Sequence, residues 1–79
     1  MNVAEVTEET VRARLRTEDP EFQRLEQEHR QLDQQLMTFE THVYLSPEEE
    51  FERRRLQKLK LAAKDRLMEM IRRFKSGNA

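Results

Sequence analysis

SPEEEFERRRLQKLKLAAKDRLMEMIRRFK, residues 46–75, decides how this chain folds. It opens on Ser46-Pro47-Glu48-Glu49: a serine N-cap, a proline at the first helical position and a glutamate at the third. The serine oxygen can accept a backbone N–H that has no helical partner, and the glutamate can reach back to the cap residue's own N–H. Proline is tolerated there because its missing N–H would have gone unpaired anyway. Glu48, Glu49 and Glu50 suit the positive end of the helix dipole, and Arg72, Arg73 and Lys75 suit the negative end. No glycine or proline intervenes before Gly77, which is expected to stop the helix. Pairs four residues apart add support: Glu49 with Arg53, Glu50 with Arg54, Glu69 with Arg73. The stretch predicts one helix over residues 47–75.

Its apolar pattern is wider than one partner needs. Leu56, Lys60, Ala63, Leu67, Met70 and Phe74 are spaced 4-3-4-3-4, the seam of a heptad repeat. Leu59, Leu61, Met68 and Ile71 flank that seam. Either the flanks complete a broad core stripe or a second subunit covers them. The second reading is taken here, with Leu61, Met68 and Ile71 as the oligomer or partner face. In a monomer, an N-terminal arm around Val11 and Leu15 must cover that flank instead.

Composition agrees with an all-α class. One glycine, two prolines and 39% charged residues among 79 suit a single helical domain. No run approaches the eighteen or so apolar residues of a membrane span, and no signal segment is expected at the N-terminus. The absence of cysteine rules out disulfide staples and fits a cytoplasmic location. Charge is unevenly spread. Residues 1–52 carry fourteen acidic and five basic side chains, whereas residues 53–79 carry two acidic and ten basic. The two halves are expected to fold together and neutralise each other.

Residues 1–6 are expected to be frayed. Residues 7–18 read as a short helical arm marked by Val11 and Leu15. Pro20 either opens a new helix with Asp19 as N-cap or sits in a kink of a continuous one. The heptad phase runs across it, so a short arm followed by a kink is the expectation. Residues 20–40 then form a clean helix. Phe22, Leu25, His29, Leu32, Leu36 and Phe39 are spaced 3-4-3-4-3 among polar neighbours, a narrow seam that one partner fills.

Residues 41–46 make the turn, with Val43, Tyr44 and Leu45 expected to cap the hydrophobic layer beside Phe51. A connection that short makes the two long helices antiparallel neighbours. The predicted fold is therefore an antiparallel two-helix hairpin, coiled-coil-like, with an N-terminal arm and a tail at residues 76–79. Its core is Phe22, Leu25, Leu32, Leu36, Phe39, Leu56, Leu67, Met70 and Phe74. Folding about residue 44 sets Leu32 near Leu56, His29 near Lys60, Leu25 near Ala63 and Phe22 near Leu67. Leu15 meets Phe74 if the arm continues the helix. Glu21 faces Arg66 and Glu26 faces Lys64. A seam this small is marginal alone, so a homo-oligomer is expected, with a dimer favoured.

Two ordered motifs carry a family resemblance. Phe22, Leu25 and Glu28-His29-Arg30-Gln31-Leu32-Asp33-Gln34-Gln35-Leu36 resemble the F-x-x-L-x-x-x-H-x-x-L-D-x-x-I/L pattern of the small YdcH-like bacterial proteins. The run Leu56 to Leu67 resembles that family's L-K-K-x-K-L-x-L-K-D-x-I/M segment. Ala63 stands where a larger aliphatic is usual and Gln57 where a lysine is, which loosens the expected packing opposite Leu25. The resemblance implies a cytoplasmic helical hairpin of no established biochemical activity.

The residues themselves point the same way. His29 and Asp33, one turn apart, face Lys60 across the seam. One polar layer in an apolar seam sets register and partner choice at some cost in stability. One His and one Asp are too few ligands for a metal, and a hairpin offers no water-excluding pocket. No phosphate loop or catalytic triad is present. No cofactor, small-molecule substrate or enzymatic activity is expected. The function expected is self-association, or docking of the second long helix onto a partner. The alternative is a nucleic-acid-associated regulator using the basic face from Arg53 to Lys75, with Arg53, Arg54 and Arg55 as the run open to an acidic partner or nucleic acid.

Overall fold

The computed structural model describes residues 7–77, an elongated all-α body of 54 × 20 × 17 Å. Its described residues form three helices: α1 (Glu8–Glu18), α2 (Pro20–Glu40) and α3 (Pro47–Gly77). The expected frayed residues 1–6 lie outside the described residues, as do residues 78–79 of the tail.

Each helix begins where its sequence supplies a cap. Thr7 Oγ1 accepts the Thr10 N–H at 3.2 Å, and Thr10 Oγ1 accepts the Thr7 N–H at 3.1 Å, a reciprocal box made by two threonines. Asp19 ends α1 and starts α2. Its N–H donates to the Leu15 carbonyl at 2.9 Å, while Oδ1 accepts the Glu21 N–H at 2.9 Å. Its backbone is extended (φ −121°, ψ 107°), as a residue before proline prefers, so the chain turns sharply there. Ser46 and Glu49 close the capping box of α3, with Glu49 N–H to Ser46 Oγ at 3.1 Å and Ser46 N–H to Glu49 Oε1 at 2.9 Å. Gly77 is the last residue of α3 and has no positive φ, so the stop does not use glycine's left-handed freedom.

Asp19 is the point at which the fold departs from the predicted one. The kink expected at Pro20 is a full break, so the short arm is a helix of its own beside the two long ones, three in place of a two-helix hairpin with a kinked arm, because Asp19-Pro20 caps and restarts the chain. α1 folds back over the α2–α3 pair. Val11 and Leu15 thereby join Phe22, Leu25, Leu67, Met70 and Ile71 in one buried cluster, against which Met68 and Phe74 pack. α2 and α3 run in opposite directions, tied by Glu21–Arg66 at 3.1 Å near one end and Asp33–Lys60 at 2.5 Å further along. Leu36, Leu56 and Ala63 are buried as well, whereas Leu32 and Phe39 are half-buried.

The turn differs from its expected role. Val43, Tyr44 and Phe51 are exposed, Tyr44 at 89%, and of the four capping residues only Leu45 is half-buried. The hydrophobic layer concentrates at the other end, where α1 supplies a third wall.

Candidate interaction site

Folding α1 back changes which side of α3 is free. Ile71 is 2% exposed, in the cluster with Val11 and Leu15, and Met68 is half-buried. These two residues were expected on a subunit interface with Leu61; the chain's own arm covers them instead. Leu61 lies beyond the arm and stays 50% exposed. The arm is held by charge as well as by apolar contact. Glu26 receives Arg16 Nε at 2.7 Å and lies 3.5 Å from Arg12 Nη1. Its expected neighbour was Lys64, but the returning arm brings two arginines to it first. The Arg16 hydrogen bond is the main cause that holds the Glu26 carboxyl below its ordinary range, with Arg12 adding to it.

The polar layer is brought together only in part. Lys60 Nζ donates to Asp33 Oδ1 at 2.5 Å, and this contact keeps the Asp33 carboxyl below its ordinary range. His29 is not bonded to Asp33: its Nε2 is buried with no hydrogen-bond partner among the described residues. The lysine has taken the carboxylate that sequence spacing offered to the imidazole. Arg12, Arg30 and Lys64 join this layer around a shallow polar groove of about 550 Å³. No group of three His, Asp or Glu side chains placed to hold a metal occurs among the described residues.

The basic run is not bare. Arg53 and Arg54 both reach Glu50, at 2.6 and 3.3 Å, and Arg55 reaches Glu52 at 2.5 Å. Arg53 pairs with Glu50 rather than Glu49, whose carboxylate is committed to the Ser46 cap. The two arginines bring the Glu50 pKa down to about 2.

The side of the α2–α3 pair away from α1 carries a feature that heptad reasoning missed. Leu25, Leu32, Leu59, Ala62 and Ala63 line an apolar groove of about 400 Å³ there, edged by Glu28, Gln31 and Gln35 of α2. Leu59 is 43% exposed on its rim. The loosened packing expected opposite Leu25 is located here, because two adjacent alanines leave the space a larger pair would fill. The signal was present in the spacing. Residues two apart on a helix do not share a face, so Leu59 and Leu61 belong to opposite flanks of the seam.

No helix among the described residues is long and apolar enough to cross a membrane. No curated protein matches the chain, and no solved structure does. A family model does match, over residues 22–71, from the start of the α2 seam to the buried isoleucine of α3. The chain belongs to the family described as "Protein of unknown function (DUF465)".

Proposed function

We propose that this chain is a non-enzymatic helical interaction protein of the YdcH-like kind, working in the bacterial cytoplasm. Its α2–α3 antiparallel hairpin serves as the scaffold, and one side of α3 takes up another helix. The observation that carries this reading is the apolar groove bounded by Leu25, Leu32 and Leu59 over Ala62 and Ala63. Alanines in the floor let a second backbone approach closely, and a half-exposed leucine on the rim offers a side chain to insert. α1 covers Ile71 and packs on Met68 on the opposite flank, with Leu61 left exposed beyond it. Nucleic-acid binding is the weaker alternative, because Arg53, Arg54 and Arg55 are each held by a glutamate on their own helix.

A photo-crosslinking benzophenone residue placed at position 59, and separately at position 61, tests the reading in cells. The expected result is a discrete protein adduct from position 59 and none from position 61. Absence of any adduct from position 59 would overturn it. Association that collapses with rising salt and requires Arg53–Arg55 would favour the nucleic-acid alternative.

A further inference from the structure

We infer that the polar groove lined by residues of α1, α2 and α3 binds a phosphate dianion, free or carried by a small organic molecule. The site is separate from the apolar groove and does not rest on the interaction reading above. It arises from the way the folded chain shares out two carboxylates. Glu26 and Asp33 are the acidic side chains of the groove, against Arg12, Arg30, Lys60 and Lys64. Glu26 is taken by Arg16 at 2.7 Å and approached by Arg12 at 3.5 Å, and Arg12 also reaches Glu8 at 3.1 Å. Those two arginines and two glutamates cancel. Asp33 and Lys60, at 2.5 Å, cancel as well. Arg30 and Lys64 are left.

Neither cation has a substitute nearby. Arg30 has Glu26 four residues before it on α2 and Asp33 three residues after it, and both carboxylates are committed elsewhere. Lys64 faced Glu26 in the register of the hairpin. Its own helix offers Lys60, Leu61, Leu67 and Met68 at the positions three and four away, none of them acidic. Arg30 and Lys64 make no ion pair among the described residues. His29 lost Asp33 to Lys60 in the same way, and it lines the same groove with its Nε2 buried and without a hydrogen-bond partner. Three groups that the chain leaves unmatched therefore meet in one place.

A phosphate monoester carries about two negative charges at neutral pH and several strong acceptor oxygens. It matches two unopposed cations in number. A guanidinium can engage it through two parallel hydrogen bonds, while an ammonium adds a point charge. Leu61 and Leu67 line the groove beside Lys64, which suits a small organic body attached to the phosphate. Nucleic acid is a poorer match, because its affinity comes from many phosphates neutralised at once and this groove has two free cations.

NMR titration of the isotope-labelled chain with inorganic phosphate and, separately, glycerol phosphate, at constant ionic strength, tests the inference. Binding should show a dissociation constant of about 1 mM or below, with the His29 and Arg30 side-chain signals moving together. Tighter binding of glycerol phosphate would identify a phosphorylated molecule as the ligand, and equal binding would identify free phosphate. Arg30→Gln and Lys64→Gln, both at exposed side chains, should each weaken binding by about tenfold with circular dichroism unchanged. Lys58→Gln, at an exposed lysine outside the groove, should leave it as it is. Asp33→Asn releases Lys60 and should tighten it. No binding of either compound at about 10 mM would overturn the inference. So would an affinity untouched by Arg30→Gln and Lys64→Gln, lowered equally by Lys58→Gln, or weakened by Asp33→Asn. Signals that respond to a single-stranded oligonucleotide and to neither phosphate would overturn it in favour of nucleic acid.

Discussion

Arg16 of α1 closes on Glu26 of α2 with two parallel hydrogen bonds, Nε to Oε1 at 2.7 Å and Nη2 to Oε2 at 2.9 Å. This fork holds the arm against the hairpin at a carboxylate that lies mostly under cover, with 12% of the Glu26 side chain exposed. Bidentate guanidinium–carboxylate geometry fixes direction as well as distance. It therefore sets the angle at which Val11 and Leu15 meet Ile71.

Glu26→Ala should release α1 before the rest of the molecule. Its loss leaves Arg12 and Arg16 without their shared carboxylate, and a charge-assisted contact of this kind contributes about 1–3 kcal/mol. Amide hydrogen exchange should speed up across Glu8–Glu18 while Leu25–Leu36 and Leu56–Leu67 stay protected. Equal acceleration in all three helices would show that the arm and hairpin form one cooperative unit.

Acid should act on the same joint. The Glu26 carboxyl titrates below its ordinary 4.5 when folded, so the unfolded chain binds the proton more readily. Its contribution is complete above pH 4.5 and is lost as pH falls through the lowered value. Glu50, brought down to about 2 by Arg53 and Arg54, follows the same sign over a window reaching to about pH 2. Carboxyl-carbon NMR titration should place the Glu50 midpoint near pH 2, and α1 protection should decline below pH 4.5. An arm that loosens instead as pH rises toward neutrality would contradict the assignment.

Ile71→Ala and Leu61→Ala separate the two flanks of α3. Ile71 is buried under Val11 and Leu15, and truncating such a side chain costs about 2–5 kcal/mol. Leu61 is half open, so its truncation should cost under about 1 kcal/mol. Chemical denaturation of both variants measures the contrast. Similar losses at the two positions would mean that something besides α1 covers Leu61.

Lys60→Leu tests the polar layer. The Lys60–Asp33 pair is partly open to solvent, and pairs of that kind contribute about 0–1 kcal/mol. Thermal stability should be unchanged or higher, and the alignment of α2 on α3 should become less selective, seen as added heterogeneity in sedimentation. A large loss of stability with no added heterogeneity would show that the lysine is structurally required.

The sequence by itself determined the helices, because their signals are local. Ser46 with Glu49, Asp19 with Pro20, and the 3-4 spacing of Phe22 to Phe39 act within a turn or two, where backbone geometry leaves few alternatives. The antiparallel course of α2 and α3 followed from a six-residue connection too short for any other arrangement. Local signals could not say where α1 would go. The heptad phase continues from Leu15 to Phe22, so apolar spacing favoured a straight path, while Asp19 and Pro20 favoured a break. Only the packed structure decides between them, since burying Ile71 under Val11 and Leu15 and pairing Arg16 with Glu26 both require the chain to turn back. The same long-range choice sent Asp33 to Lys60 instead of His29, gave Glu26 to Arg16 instead of Lys64, and left Val43, Tyr44 and Phe51 uncovered. It also covered Ile71 and part of Met68 while leaving Leu61 and Leu59 open on opposite flanks, because a helix with two apolar flanks does not say which of them its own chain will fill.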